Sequence, residues 1–407
     1  MKIWLVTIGE PLSIKGNQRK LRTGIFAEFL KNRDHEITWF TSNFDHYSKT
    51  KFCDEASTCL NGVNIEFLNG REYKSNISYA RYRNHVEIAK DFSCRALCLQ
   101  KPDVIVCSFP PIELCEAVMQ FAREHRIPCV ADVRDLWPDE LERRLPAPLR
   151  SIGSALAAPK RRAVARTMKS ADGIVGVSKA YLDWGLAHAG RPASYYDSVI
   201  PLGYADFPAA QQQRLARKIP KQDTKPVNFF FAGAFNNSVD LDSIIAAFAV
   251  LPQLDITATL VGTGDKFEVW SKAAKSDNRL LFPGWVDADQ IAKYAARADV
   301  GMISYNLGSL VAMPNKLFEY TSFGLPVINS IPGEAAILVQ DEGIGLNYPA
   351  GNIAKLANCI ETLAADSGLR LQMGERSGQL FETKFNSERV YNSYLCLLES
   401  IIHKGQS

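Results

Sequence analysis

The stretch MPNKLFEYTSFGLPVI, residues 313–328, carries a helix and the strand that leaves it. Pro314 suits the first turn, where a backbone N–H has no helical partner, and Gly324 suits the C-terminal cap. The LPVINS run (325–330) then reads as a buried strand. Outward from this unit the alternation repeats. Upstream, VNFFFAG (227–233), ITATLVG (256–262), RLLF (279–282) and VGMISY (300–305) are strand candidates, with helical-period stretches near 238–250, 265–275 and 288–297 between them. Downstream, a helix near 333–340 precedes a weaker strand, GIGLNY (343–348), and from about 350 the pattern is helical. Continuous apolar strands separated by helices predict a parallel sheet covered on both faces.

The first half follows the same plan. KIWLVTI (2–8), EITWFT (36–41), VNIEFL (63–68), DVIVCS (103–108), IPCVAD (127–132), GIVGVS (173–178) and SVIPLG (198–203) read as strands with helices between them. At roughly 150 residues per domain, 407 residues imply two domains. The predicted class is α/β, with domains at 1–203 and 227–385. The intervening 204–226, rich in charge and without strand pattern, reads as a linker. In open parallel sheets ligands sit beyond the carboxyl ends of the strands, and two such domains facing each other would bury a ligand in the cleft between them.

Composition excludes several classes. With 47 basic against 44 acidic residues, the net charge of +3 gives no reason to expect nucleic acid as a partner. No run approaches the ~20 apolar residues of a membrane helix. The start, MKIWLVTIGEP, enters a strand-like run with no signal-peptide plan, so a cytoplasmic protein is expected. Nine cysteines, without a CxxC pair, support neither a zinc ribbon nor a redox motif and read as core or surface thiols.

Three strand ends in the second half carry glycine-rich turns into helices: FFFAGAFNNSVD with Gly233 and Asn236, TLVGTGDKF with Gly262 and Gly264, and SYNLGSLVAMP with Gly308 and Ser309. Such turns bring backbone N–H groups to a phosphate at the positive end of a helix, although glycine serves tight turns in ligand-free folds as well. Asp240 and Asp242 would oppose an anion at the first turn, which favours the third. There Lys316 and Glu319 stand at i, i+3 on one helix face. The lysine suits a diphosphate and the carboxylate suits the hydroxyls of a ribose. Spacing alone fits a surface Lys–Glu pair equally well.

The 313–328 segment resembles the nucleotide-sugar signature of GT-B-fold glycosyltransferases, in particular the large retaining family numbered four. The resemblance implies two Rossmann-like domains facing across a cleft, with the C-terminal helix, 386–407, joining the first. It implies that Glu319 holds the ribose and that VGTGD and PGWV (283–286, with Trp285) lie beside the donor. Many members carry an earlier glutamate, at the position of Val311 here. A subgroup of the form Pro-x-Lys-x-x-Glu-Tyr also lacks it, and Pro314, Lys316, Glu319 and Tyr320 fit that subgroup. The first loop of the domain reads AFNN, without the basic residues common in the family, so Lys316 becomes the main phosphate cation. No metal or other cofactor is expected; DLD (240–242) falls at a helix start.

In the first domain, the loop after strand one leads to Arg19 and Arg22, which are candidates for a substrate phosphate or a solvated basic helix start. ADVRDLWPDE (131–140) places Asp132, Arg134 and Asp135 at the end of a buried strand, where charges need partners or a ligand. The phrase resembles the Arg-Asp-Leu-Trp-Pro element of bacterial transferases acting on lipid-linked sugars, including the N-acetyl-fucosamine transferase type. Asp135 is the preferred catalytic candidate, with Arg134 beside it; an Arg134–Asp ion pair that shapes the loop is the alternative. The segment 141–170 has eight basic residues and one acid, which suits either an anionic membrane surface, at ~1 kcal/mol per cation, or a solvated helix face.

The resulting expectation is a metal-independent glycosyltransferase using a nucleotide sugar, a UDP-sugar by resemblance, and a lipid-linked saccharide acceptor. Its setting would be bacterial surface polysaccharide assembly (O-antigen, capsule or exopolysaccharide) at the inner face of the cytoplasmic membrane. A nucleotide-sugar 2-epimerase of the same fold and a non-catalytic accessory subunit are the rivals.

Overall fold

The computed structural model describes the chain except residues 13–19, 47, 76–77, 140–149, 207, 218–225, 310 and 407. It divides into two compact units, Met1–Pro201 with Val390–Ser407, and Leu202–Arg389. Among the described residues no helix is long and apolar enough to cross a membrane.

The first unit contains β1 (Lys2–Val6), β2 (Glu36–Ser42), the short pair β3 (Phe44–Asp45) and β4 (Thr50–Lys51), β5 (Ser57–Leu60), β6 (Val63–Leu68), β7 (Val104–Phe109), β8 (Cys129–Val133), β9 (Gly173–Gly176) and β10 (Ser198–Val199). Its main sheet has the order β10-β9-β8-β7-β1-β2-β6-β5. Every pairing is parallel except β5 with β6. The central strands VIVCSF and CVADV are buried along their whole length, which is why they read as continuous apolar runs. Strand β5 carries no comparable signal, because STCL is too short and too exposed to show a period.

Side chains alternate across this sheet. Ile3 and Leu5 share a core with Phe26, Tyr391 and Tyr394, where Phe26 stacks on the two tyrosines at 5.1 and 4.7 Å. Trp4 points the other way and meets Phe40 at 4.9 Å and Phe121 at 5.6 Å. Burial of Tyr391, Tyr394, Leu398 and Ile401 ties the end of helix Ser387–Gln406 into this unit from Val390 onward.

The second unit contains β11 (Val227–Ala232), β12 (Ile256–Val261), β13 (Leu280–Gly284), β14 (Val300–Ile303), β15 (Val327–Asn329) and β16 (Gly345–Asn347). The order is β13-β12-β11-β14-β15-β16, all parallel. Phe229 and Phe231 of β11 enter one core and Phe230 and Ala232 the other, so both faces are covered.

The stretch that reads as a linker differs in part. Pro208–Arg217 is helical and belongs to the second unit. Ala210 is fully buried among Leu317, Phe318 and Phe381, while Arg214, one turn later, binds both carboxylate oxygens of Asp206 at 2.9 Å and lies 5.0 Å from the Phe381 ring. Two anchors one turn apart hold a helix whose polar sequence carries no apolar stripe.

Candidate functional site

Helix Asn315–Ser322 follows β14 and packs on the second sheet, and Tyr320 sets its position. The Tyr320 ring fills the space over Gly301, where a Cβ would stand 2.4 Å from it. Its hydroxyl accepts the Ala232 N–H at 3.1 Å, at the end of β11. The helix closes with Gly324 at φ +62°. Leu325 N–H reaches Tyr320 O at 3.0 Å and Gly324 N–H reaches Thr321 O at 2.9 Å, the double bond of a glycine-terminated helix.

This seating buries both signature charges. Lys316 is 8% exposed and Glu319 1%, so they are not a surface pair. Lys316 Nζ donates to the Tyr305 hydroxyl at 3.2 Å and lies 4.6 Å from the Phe231 ring centre. Gly233 makes room for it: a Cβ there would stand 2.6 Å from Nζ. Among the described residues no carboxylate pairs with this ammonium. A buried cation answered by a phenol and ring faces is undercompensated, the usual mark of a ligand site. Glu319 accepts a hydrogen bond from the Tyr204 hydroxyl at 3.1 Å.

The surrounding glycines act differently from the phosphate-cradle reading. Gly233 N–H donates to Val261 O at 3.0 Å and Gly262 N–H to Gly284 O at 3.0 Å, so neither is available to an anion. A Cβ on Gly262 would stand 1.9 Å from Gly233 O, and one on Gly264 would stand 2.5 Å from Phe235 O. These glycines let two loops touch. Asn236 uses Oδ1 to accept Ser238 N–H at 2.9 Å, shaping its own turn. Gly308, at φ +85°, and Ser309 lie in a turn tethered by Asn306, whose side chain donates to Asn237 O and Val239 O at 2.8 and 2.9 Å. Trp285, 73% exposed, projects from the loop after β13.

Asp240 is buried and both its carboxylate oxygens accept from Ser243, one from N–H at 2.9 Å and one from Oγ at 2.6 Å. It is thereby tied to the first turn of helix Asp242–Ala249. Val311 packs, partly buried, against an apolar core.

In the first unit the strand-end charges form a closed network. Asp132, fully buried, receives Arg22 Nε at 3.0 Å and Nη2 at 3.1 Å, and Arg134 Nη2 at 2.9 Å. Arg134 also donates to Glu10 and, at 3.0 Å, to Thr23 Oγ1. Glu10 in turn accepts Thr23 N–H at 3.0 Å at the start of helix Arg22–Lys31. Burial would raise the Asp132 pKa, but Arg22 and Arg134 outweigh it and hold the carboxyl below its ordinary value. Burial likewise would lower both guanidiniums, and Asp132 reverses that. Arg22 also donates to Pro201 O at 2.6 Å. It is therefore a structural fork, not an open phosphate ligand. Arg134 is bound into the loop as the ion-pair alternative predicts, Asp135 is exposed beside it, and Arg19 lies outside the described residues.

Residues 226–366 match the family model described as "Glycosyl transferases group 1". The matched region lies within the second unit. The signature residues Lys316 and Glu319 fall inside it. The lipopolysaccharide core biosynthesis glycosyltransferase LpsE of Rhizobium meliloti is 28% identical over 171 residues, 41% of this chain and 48% of LpsE. The match thus spans about half the length of that curated relative. Sucrose-phosphate synthase from Thermosynechococcus elongatus superposes with a TM-score of 0.75 at 18% identity, covering 99% of each chain. HepE from Anabaena, in complex with UDP, gives 0.69 at 16% identity, covering 98% of this chain and 99% of its own. At these identities the likeness is one of fold, the two parallel-sheet domains of the GT-B type.

Two contributors, one beside Glu319 and one in the first unit, escape sequence reading. Tyr204 sits at a domain boundary with no local pattern. Glu10 has a usable signal, being a charge a few residues beyond the carboxyl end of a buried strand, much as Asp132 is a charge near the end of one.

Proposed function

We propose that the protein is a retaining glycosyltransferase that moves a sugar from a UDP-sugar to a lipid-linked saccharide in surface polysaccharide assembly. The observation that carries this reading is the buried Lys316 ammonium over Gly233, one helical turn from buried Glu319, inside a glycosyl transferase domain. Lys316 offsets the diphosphate charge as the leaving group departs, so the reading needs no metal. Glu319, aligned by Tyr204, takes the ribose hydroxyls, and Trp285 offers a face to the base. Asp135 orients the acceptor hydroxyl, with Arg134 as its positioning neighbour. HepE, described in complexes with UDP and with UDP-glucose, supports the uridine choice, and LpsE supports a lipopolysaccharide-type setting.

A thermal-shift panel of UDP, GDP, dTDP and ADP tests the donor site. Ligand at ~100 times its dissociation constant stabilises the native state by ~2.7 kcal/mol. A shift selective for UDP that disappears in Glu319→Ala is the expected result; no shift with any nucleotide sinks the transferase reading in favour of an accessory subunit.

Attachment to the inner membrane face through 141–170 belongs to the same proposal, although 141–149 lie outside the described residues. Lys160 is held by Glu113 and Arg166 by Glu116, which leaves less charge for lipid than the sequence count implies; exposed Leu156 adds apolar contact. Co-sedimentation with vesicles containing anionic phosphatidylglycerol, abolished by ~0.5 M salt as screening requires, is expected. Equal binding to neutral vesicles would refute an electrostatic attachment.

A further inference from the structure

Strands β2 and β6 carry an alternation that a sheet covered on both faces does not require. Ile37, Trp39, Val63, Ile65 and Phe67 enter one apolar core, whereas Glu36, Thr38, Asn64 and Glu66 stand between them. Strands covered on both sides read as unbroken apolar runs, as β7 and much of β8 do. The polar residues share one face. Thr38 is the register partner of Asn64, and β5 sets Ser57 opposite Glu66 and Cys59 opposite Asn64. Phe40, next along the same face of β2, is fully buried against Trp4 and Phe92. The face therefore turns from apolar to polar towards the amino end of β2 and the β5 edge.

This polar face lines a cavity of about 400 Å³, to which Leu99 and Gln100 contribute just past the end of helix Tyr79–Cys98. The volume is that of a small-molecule site. It lies near the amino ends of β2 and β6, away from the carboxyl strand ends at which parallel sheets usually hold ligands.

The charge in the cavity is incompletely answered. The Glu66 side chain is 15% exposed, and its ion-pair partner, Arg95, stands 3.7 Å away. Arg95 is committed elsewhere, donating to Asp91 at 2.8 Å and to Ala56 O at 3.1 Å. Burial holds the Glu66 carboxyl above its ordinary value, and the pull of Arg95 does not cancel it. Glu36, more exposed, pairs with Lys2 at 3.5 Å. Among the described residues no group of three metal-ligating side chains forms, so the lining suits an organic cation. A half-buried carboxylate with one distant partner gains most from an ammonium. The hydroxyls and amides around it can both donate to and accept from a hydroxylated ligand.

We propose that this cavity is an accessory site for a small hydroxylated ammonium of the amino-sugar class, with Glu66 taking the ammonium and Thr38, Ser57, Asn64 and Gln100 the hydroxyls. The site stands independently of the transferase reading.

Calorimetric titration of the full chain with glucosamine, at low salt and pH 7, with and without UDP, tests the site. Saturable binding that Glu66→Gln weakens at least about tenfold is expected, the loss usual for a charge-assisted contact. N-acetylglucosamine keeps the ring hydroxyls but not the charge, and should bind more weakly by a similar factor. Asn64 is exposed, so Asn64→Ala, which should also weaken binding, keeps the test valid should Glu66→Gln fail to fold. Location has its own readout. Cys59 is exposed and lines the cavity, so glucosamine should slow its alkylation by iodoacetamide, read by peptide mass mapping, while exposed Cys396 reacts as before. Absence of saturable binding, wild-type affinity in both variants, loss of binding on adding UDP, or an unprotected Cys59 each overturns the site. Putrescine binding as tightly as glucosamine overturns the assignment to a hydroxylated ligand.

Discussion

Lys316→Met is expected to lower sugar transfer at least about 100-fold, the loss typical when one preorganised charge facing the developing anion is removed, while the melting temperature stays level or rises. The two halves of this result have one cause. Lys316 is 8% exposed, and its ammonium faces a phenol oxygen at 3.2 Å and two rings at 4.6 and 4.9 Å. Burying a charge under these conditions is unfavourable to folding, and replacement of a buried ion by an apolar group of similar volume is often neutral or stabilising. Methionine keeps the volume against Phe231 and Gly233. A residue retained for stability would show the opposite pattern. Initial rates with UDP-sugar, read beside thermal unfolding of the same preparations, decide the matter; transfer within tenfold of wild type would remove Lys316 from the donor site.

The largest effect on stability is expected from Asp132→Asn, a loss of about 3–5 kcal/mol, the range for breaking a buried charge network by removing one partner. Asp132 is fully buried between Arg22 and Arg134, and asparagine leaves Arg22 without a carboxylate and Arg134 with Glu10 alone. The pH dependence has a definite sign. The folded Asp132 carboxyl is depressed: burial raises it, and the coulombic pull of Arg22 and Arg134 overrides burial. Its contribution is therefore present above the unfolded value of ~3.9 and lost as pH falls through the lower folded value. Urea unfolding between pH 7 and pH 3 should show an acid-dependent component in the wild type that the variant lacks. A variant within about 1 kcal/mol of wild type at pH 7, well below the range for breaking such a network, would show that the ions do not act together.

The alternation of strands and helices is legible in the amino-acid order itself, because each element announces itself within a few residues. VIVCSF and VNFFFA are continuous apolar runs, and a continuous run has no solvent face to offer, so the sheet has to be parallel and covered on both sides. Pro314 and Gly324 bracket the signature helix through backbone constraints that act at one residue. Lys316 and Glu319 can be named for the same reason, since one helical turn fixes their relation. Local pattern does not report exposure, however, and the same spacing on a surface helix would be a trivial pair. Only packing of Tyr320 over Gly301 buries the two charges.

The remainder is decided by sheet order, which no local pattern encodes. Arg22 looks available in the sequence but meets Asp132, 110 residues away, because β8 ends where the helix after β1 begins, on the same side of one sheet. Glu319 meets Tyr204 across 115 residues. Gly262 and Gly264 read as phosphate turns and instead let the loops after β11 and β12 touch, a contact that exists only because those strands are neighbours. A residue's chain neighbours set its backbone conformation, and the sequence by itself determines that much. Its charge partners are whatever the sheet order brings to the same strand ends, and that is a property of the folded chain.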